Sequence, residues 1–97
     1  MRVVYHPLAE KDIEEAFDHY QDILPSLAEE FLAELNTNIE RIANNPFRYH
    51  PVRGGIRKCG LKRFPYALYF FVTDELINIL IAKHHRRHPS YGMDRHT

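Results

Sequence analysis

Between Tyr66 and Ala82 the apolar residues come in two dense runs, Tyr66-Ala67-Leu68-Tyr69-Phe70-Phe71-Val72 and Leu76-Ile77-Asn78-Ile79-Leu80-Ile81-Ala82, parted by Thr73-Asp74-Glu75. Both are rich in β-branched and aromatic residues, and turn formers separate them, which predicts an antiparallel hairpin. The first run is apolar at successive positions, so both faces of its strand are covered and it belongs in the interior of a sheet. Upstream the period changes. Ile13, Ala16, Phe17, Tyr20 and Leu24 fall on one stripe of a helix that opens at Pro7 and is broken by Pro25. Ser26 with Glu29 three residues on reads as a capping box for a second helix. Leu27, Ala28, Phe31, Leu35, Ile39 and Ile42 make its apolar face, and Asn44-Asn45-Pro46 ends it.

Three shorter stretches complete the pattern. Arg2-Val3-Val4-Tyr5 is a β-prone start stopped by His6-Pro7, and residues 56–61 predict a strand leading into the hairpin. Residues 47–55 read as loop, because Pro46, Pro51, Gly54 and Gly55 deny regular structure. The tail after Pro89 is short and polar; it either frays or folds back on the sheet. The expected fold is α+β in the order β-α-α-β-β-β. A two-helix hairpin covers one face of a small antiparallel sheet, since only that face can bury the helical stripes.

The 97 residues suit one domain, 1–97, and 44% hydrophobic with 27% charged residues is ordinary for a soluble chain. The longest apolar run is seven residues, against the ~20 needed to cross a bilayer. The first residues lack the apolar core of a secretory signal, and the lone Cys59 fits a reducing compartment. The expected location is the cytoplasm, with no membrane association.

Charge changes the picture more. The formal net charge is zero, but residues 1–45 hold ten acidic groups against three basic ones, and residues 46–97 hold ten basic groups against three acidic ones. Two readings are open: the halves neutralise each other across the fold, or the basic half meets a polyanion or an acidic protein. Arg57, Lys58, Lys62 and Arg63 precede the first hairpin strand and His84, His85, Arg86 and Arg87 leave the second, so both groups sit at one end of the hairpin. The acidic residues of the helices read as solvated surface.

Several pieces, in order, resemble the RelE/ParE superfamily of type II toxin–antitoxin toxins. They are Val4-Tyr5-His6-Pro7-Leu8-Ala9, Asp12-Ile13-Glu14-Glu15-Ala16, the Ile39, Ile42 and Asn45-Pro46 close of the second helix, Arg63-Phe64-Pro65-Tyr66 with Leu68-Tyr69-Phe70, and Ile79-Leu80 to His85-Arg86-Arg87 and Pro89. The resemblance implies a growth-inhibiting toxin, of the kind called plasmid stabilisation proteins, neutralised by a cognate antitoxin. Operator DNA would be bound only through that antitoxin. It implies either DNA gyrase as target (ParE-like) or the ribosome and its mRNA (RelE-like), and an inactive relative that only binds its partner is a third possibility.

Ribonuclease chemistry would need cations on phosphate and groups to move protons. For that reading the resemblance points to His85, Arg87 and Tyr91 as catalytic. For binding a target or antitoxin it points to Arg57, Lys58, Lys62, Arg63, Arg86 and Arg87. RelE-like ribonucleases carry an arginine after the Gly-Tyr that opens the central strand, whereas Ala67 follows Phe64-Pro65-Tyr66 here; this looks more like the ParE-type or an unassigned branch. No cofactor and no metal is expected, because the arginines beside His84, His85 and His88 repel a divalent ion.

Overall fold

In the computed structural model, which describes residues 1–96, the chain runs β1 (Arg2–Tyr5), α1 (Pro7–Ile23), α2 (Pro25–Asn44), β2 (Pro51–Arg53), β3 (Ile56–Gly60), β4 (Tyr66–Thr73) and β5 (Leu76–His84). Short 3₁₀ turns lie at Pro46–Arg48 and Met93–His96. Thr97, the last residue of the expected domain, lies outside the described residues. The strand order is β1-β5-β4-β3-β2. Both helices pack on one face of the sheet, burying Ala9, Ala16, Phe31, Leu35 and Ile42 against Leu68, Phe70, Ile77 and Ile79.

The hairpin forms as expected. β4 is central and pairs with β5 antiparallel from Thr73↔Leu76 to Tyr66↔His84. The loop is the two residues Asp74 (φ 48) and Glu75 (φ 63), and positive φ at both matches the twist of the strands it joins. α1 starts where Pro7 suits its first turn, and the His6 ring accepts a hydrogen bond from the Leu8 amide at 3.0 Å.

Four expectations are corrected. The sheet is mixed, because β1 runs parallel to β5 and only the other pairs are antiparallel. Residues 51–53, read as loop, form an extra edge strand on β3. Pro51 is its first residue, where a missing N–H is tolerated, and Gly54 and Gly55 take positive φ to turn the chain back. α2 begins at Pro25 rather than Ser26; Leu24 is the extended cap residue and is 54% exposed, so it leaves the apolar stripe. Asp12 is buried and is not part of a solvated helix face.

β5 also carries an irregularity that no periodicity announces. Tyr69 pairs with Ile81 but the next residue, Phe70, pairs with Ile79, so Leu80 is an extra residue, a β-bulge. Leu80 and Ile81 therefore both join the cluster on the face away from the helices, with Ile56, Ala67 and Tyr69. After the bulge, Ala82 faces the helices again. The tail folds back on the sheet: Tyr91 and Met93 pack on the far-face cluster and the His96 ring lies 4.1 Å from Phe71. Among the described residues no helix is long and apolar enough to cross a membrane.

Candidate functional site

The basic residues before β4 are held by the helices. Phe64, from the loop between β3 and β4, stacks edge-on against Tyr20 and Phe31 at 5.0 and 5.3 Å. The loop is closed by the Leu61 amide on Tyr66 O (2.9 Å) and joined to the end of β5 by the His85 amide on Pro65 O (2.8 Å). The Glu34 carboxylate of α2 accepts the backbone amides of Lys62 and Arg63. With the backbone fixed this way, both side chains project outward. Arg63 pairs with Glu30 at 3.2 Å, but both side chains are about half exposed or more, so the pair itself adds little stability.

The two cations of β3 part company, because neighbours in a strand face opposite ways. Arg57 turns to the helix side, donates to Tyr49 O and lies 5.2 Å over the Phe47 ring. It ties the segment after α2 to the sheet. Lys58 is on the far face, 6.0 Å from the Tyr69 ring.

The residues after β5 meet α1 and the tail. β1 covers the outer edge of β5 only as far as Ile79, whose carbonyl receives the His6 amide at 2.9 Å. Beyond it, the Leu80 carbonyl accepts from Arg95 at 3.1 Å and the Ala82 amide donates to Asp12 at 3.1 Å. The Asp12 carboxylate also accepts from Tyr91 Oη (2.6 Å) and Arg95 Nη1 (2.7 Å). Side-chain exposure is 8% for Arg95 and 6% for Asp12, so this is a buried ion pair whose remaining hydrogen-bond capacity is largely used. It fastens the tail to α1 across the sheet edge.

Arg87 lies over the Tyr91 ring at 4.6 Å and Arg95 at 5.0 Å. The bond to Asp12, followed by burial, pushes the Tyr91 hydroxyl above the usual phenol range. A small cavity of about 200 Å³ is lined here by Asp12, Glu15, Tyr66, His84, Arg87 and Tyr91. Of the residues assigned a ribonuclease role, Arg87 and Tyr91 meet in this cavity and His85 does not line it; His85 is exposed in the turn after β5. The histidine present is His84, its ring 5.1 Å from Tyr66 and its Nδ1 accepting the Arg86 amide. Burial first, and then the neighbouring Arg86, pulls its pKa below the ordinary histidine value. Arg86 and Arg87 stand in turns rather than in a strand, because β5 ends at His84.

Thus the eight side chains near the hairpin end divide: Lys62 and Arg63 on the β3–β4 loop, Arg57 on the helix side, Lys58 on the far face, His84 and Arg87 at the Tyr91 cavity, and His85 and Arg86 exposed after β5. Sequence reasoning missed Asp12 and Arg95. The available signal was a carboxylate inside a small-residue stripe: Ala9, Asp12 and Ala16 are all buried on one side of α1. Among the described residues no three His, Cys, Asp or Glu side chains are grouped as a metal would require.

Residues 3–89 match the family described as the ParE toxin of the type II toxin–antitoxin system parDE. A solved structure described as the chromosomal ParDE toxin–antitoxin system of P. aeruginosa shares the fold, with a TM-score of 0.77 at 22% identity over 87% of this chain and 95% of that one. No curated protein matches this chain significantly.

Proposed function

The chain belongs to the ParE toxin family of type II toxin–antitoxin systems, and on that premise we propose that it inhibits growth by binding DNA gyrase and is neutralised by a cognate antitoxin. The family match over residues 3–89 carries this reading. The site adds support against chemistry at Tyr91. A proton donor must deliver its proton to substrate, but this hydroxyl already donates to Asp12 and is made less acidic by it. Gyrase supercoiling is the test. Purified toxin is expected to block supercoiling and leave mRNA intact in a translating extract. Codon-positioned mRNA cuts with unaffected supercoiling would transfer the function to the ribonuclease reading, and no effect on either would leave an antitoxin-binding relative.

The antitoxin would use two surfaces. An apolar groove of about 400 Å³ runs between α1 and α2, lined by Tyr5, Ile13, Phe17, Leu32 and Leu35, and suits one face of an amphipathic helix. The outward cations Lys62, Arg63, Arg86 and Arg87 suit an acidic continuation of the same segment, which would fold as it wraps the toxin. Operator DNA would then be reached only through the antitoxin, and the complex would act in the cytoplasm. The Lys62→Glu/Arg87→Glu double variant is expected to bind antitoxin at least tenfold more weakly, from two reversed rim charges, and to show a flatter dependence of Kd on salt. Unchanged affinity by calorimetry would remove the charge argument.

A further inference from the structure

We propose that the far face of the sheet carries an anion-binding pocket, centred on Lys83, that takes a phosphate group. The bulge at Leu80 sets it up. Strict alternation from Ile77 and Ile79 would aim residue 83 at the helices; the extra residue turns Lys83 to the far side, where its ammonium lies 4.6 Å over the Tyr69 ring. Lys83 is only 6% exposed. Its Nζ donates to Pro89 O at 3.2 Å, and an ammonium has three donors, so it keeps capacity for a ligand.

The cavity beside it, about 430 Å³, is lined by Arg53, Lys58, Lys83, His88 and Ser90 around Tyr69, and among the described residues no carboxylate lines its wall. Lys58 reaches the same ring from β3. Buried cations normally stand against a carboxylate, as Arg95 does against Asp12 in this molecule. Here like charges from β2, β3 and β5 converge instead. A doubly charged tetrahedral oxyanion matches that arrangement better than one carboxylate, because several donors approach from different strands. Tail residues His88 to Ser90 form one wall, so the Asp12 anchor that holds the tail also shapes the pocket. The pocket is independent of which target the toxin has.

The test is an amide-resolved NMR titration of the full chain with inorganic phosphate. Saturable shifts are expected at Tyr69, Lys83 and Ser90. Lys83→Met, which keeps the buried stem, is expected to weaken binding about tenfold, the effect of one charged hydrogen bond. Shifts that do not saturate, that centre on Lys62 and Arg63, or that persist in Lys83→Met overturn the proposal. Should that variant unfold, exposed Lys58→Gln serves: weaker binding supports the pocket and unchanged binding overturns it. A dinucleotide with and without a 5′-phosphate separates the sources. Equal binding assigns a nucleic-acid backbone, preference for the phosphorylated form assigns a phosphomonoester, and no binding of either overturns the proposal.

Discussion

Asp12→Ala is expected to lower the melting temperature by more than about 10 °C and to free the C-terminal segment. The substitution strips three donors of their acceptor at once: the Ala82 amide, the Tyr91 hydroxyl and the Arg95 guanidinium. Removing one partner of a buried ion pair costs about 3–5 kcal/mol, since the other charge stays in a poor solvent. A domain of this size has only about 5–15 kcal/mol in hand, and each kcal/mol moves its melting point by roughly 4–8 °C. Arg95 can recover water only if the tail lifts from the sheet, so amide exchange at residues 91–96 should accelerate. Asp12→Asn keeps an acceptor and should fall between. Asp12→Leu with Arg95→Met should recover much of the loss, as apolar replacements of buried pairs do. A melting point within a degree or two of the parent, with the tail still protected, would mean that the anchor holds nothing.

That anchor also marks where sequence reading stopped. Local rules found what is local: the Asp74-Glu75 turn, the Pro7 helix start and the stripe from Ala28 to Ile42 each depend on neighbours within a few positions. Asp12 and Arg95 are 83 positions apart, and each alone reads as an ordinary surface charge. β2 escaped for a different reason. Its three residues are all exposed and carry no alternation, so only the partner strand reveals them. The bulge at Leu80 escaped because a run of Ile, Leu and Ile looks the same with either face inward. The charge split was legible, but its meaning was not. Among the described residues two ion pairs, Arg63–Glu30 and Arg95–Asp12, cross between the acidic and basic halves. The far-face cations around Tyr69 stay outside that exchange, and so the basic half is not simply balanced by the helices.

Phe31→Ala should be comparably damaging to stability and informative about function. Phe31 is fully buried, with the rings of Tyr20, Phe64 and Tyr66 at 5.2, 5.3 and 5.4 Å. Truncating a core phenylalanine costs about 3–5 kcal/mol, part transfer and part cavity, and here it also removes edge-on contacts that favour these ring pairs. The four rings come from α1, α2, the β3–β4 loop and β4, so the loss is felt across the layers. Phe64 and Leu61 anchor in the core the loop that presents Lys62 and Arg63, both exposed. With Phe31 gone, that loop should loosen even where the chain stays folded. Denaturant midpoints should fall steeply for Phe31→Ala and less for Phe31→Leu, which refills most of the space. Antitoxin affinity of the folded fraction should fall as well, although no cation has been touched. A variant that loses stability but binds antitoxin as tightly as the parent would show that the Lys62 and Arg63 loop is positioned by Glu34, Leu61 and its backbone hydrogen bonds and not by the aromatic cluster.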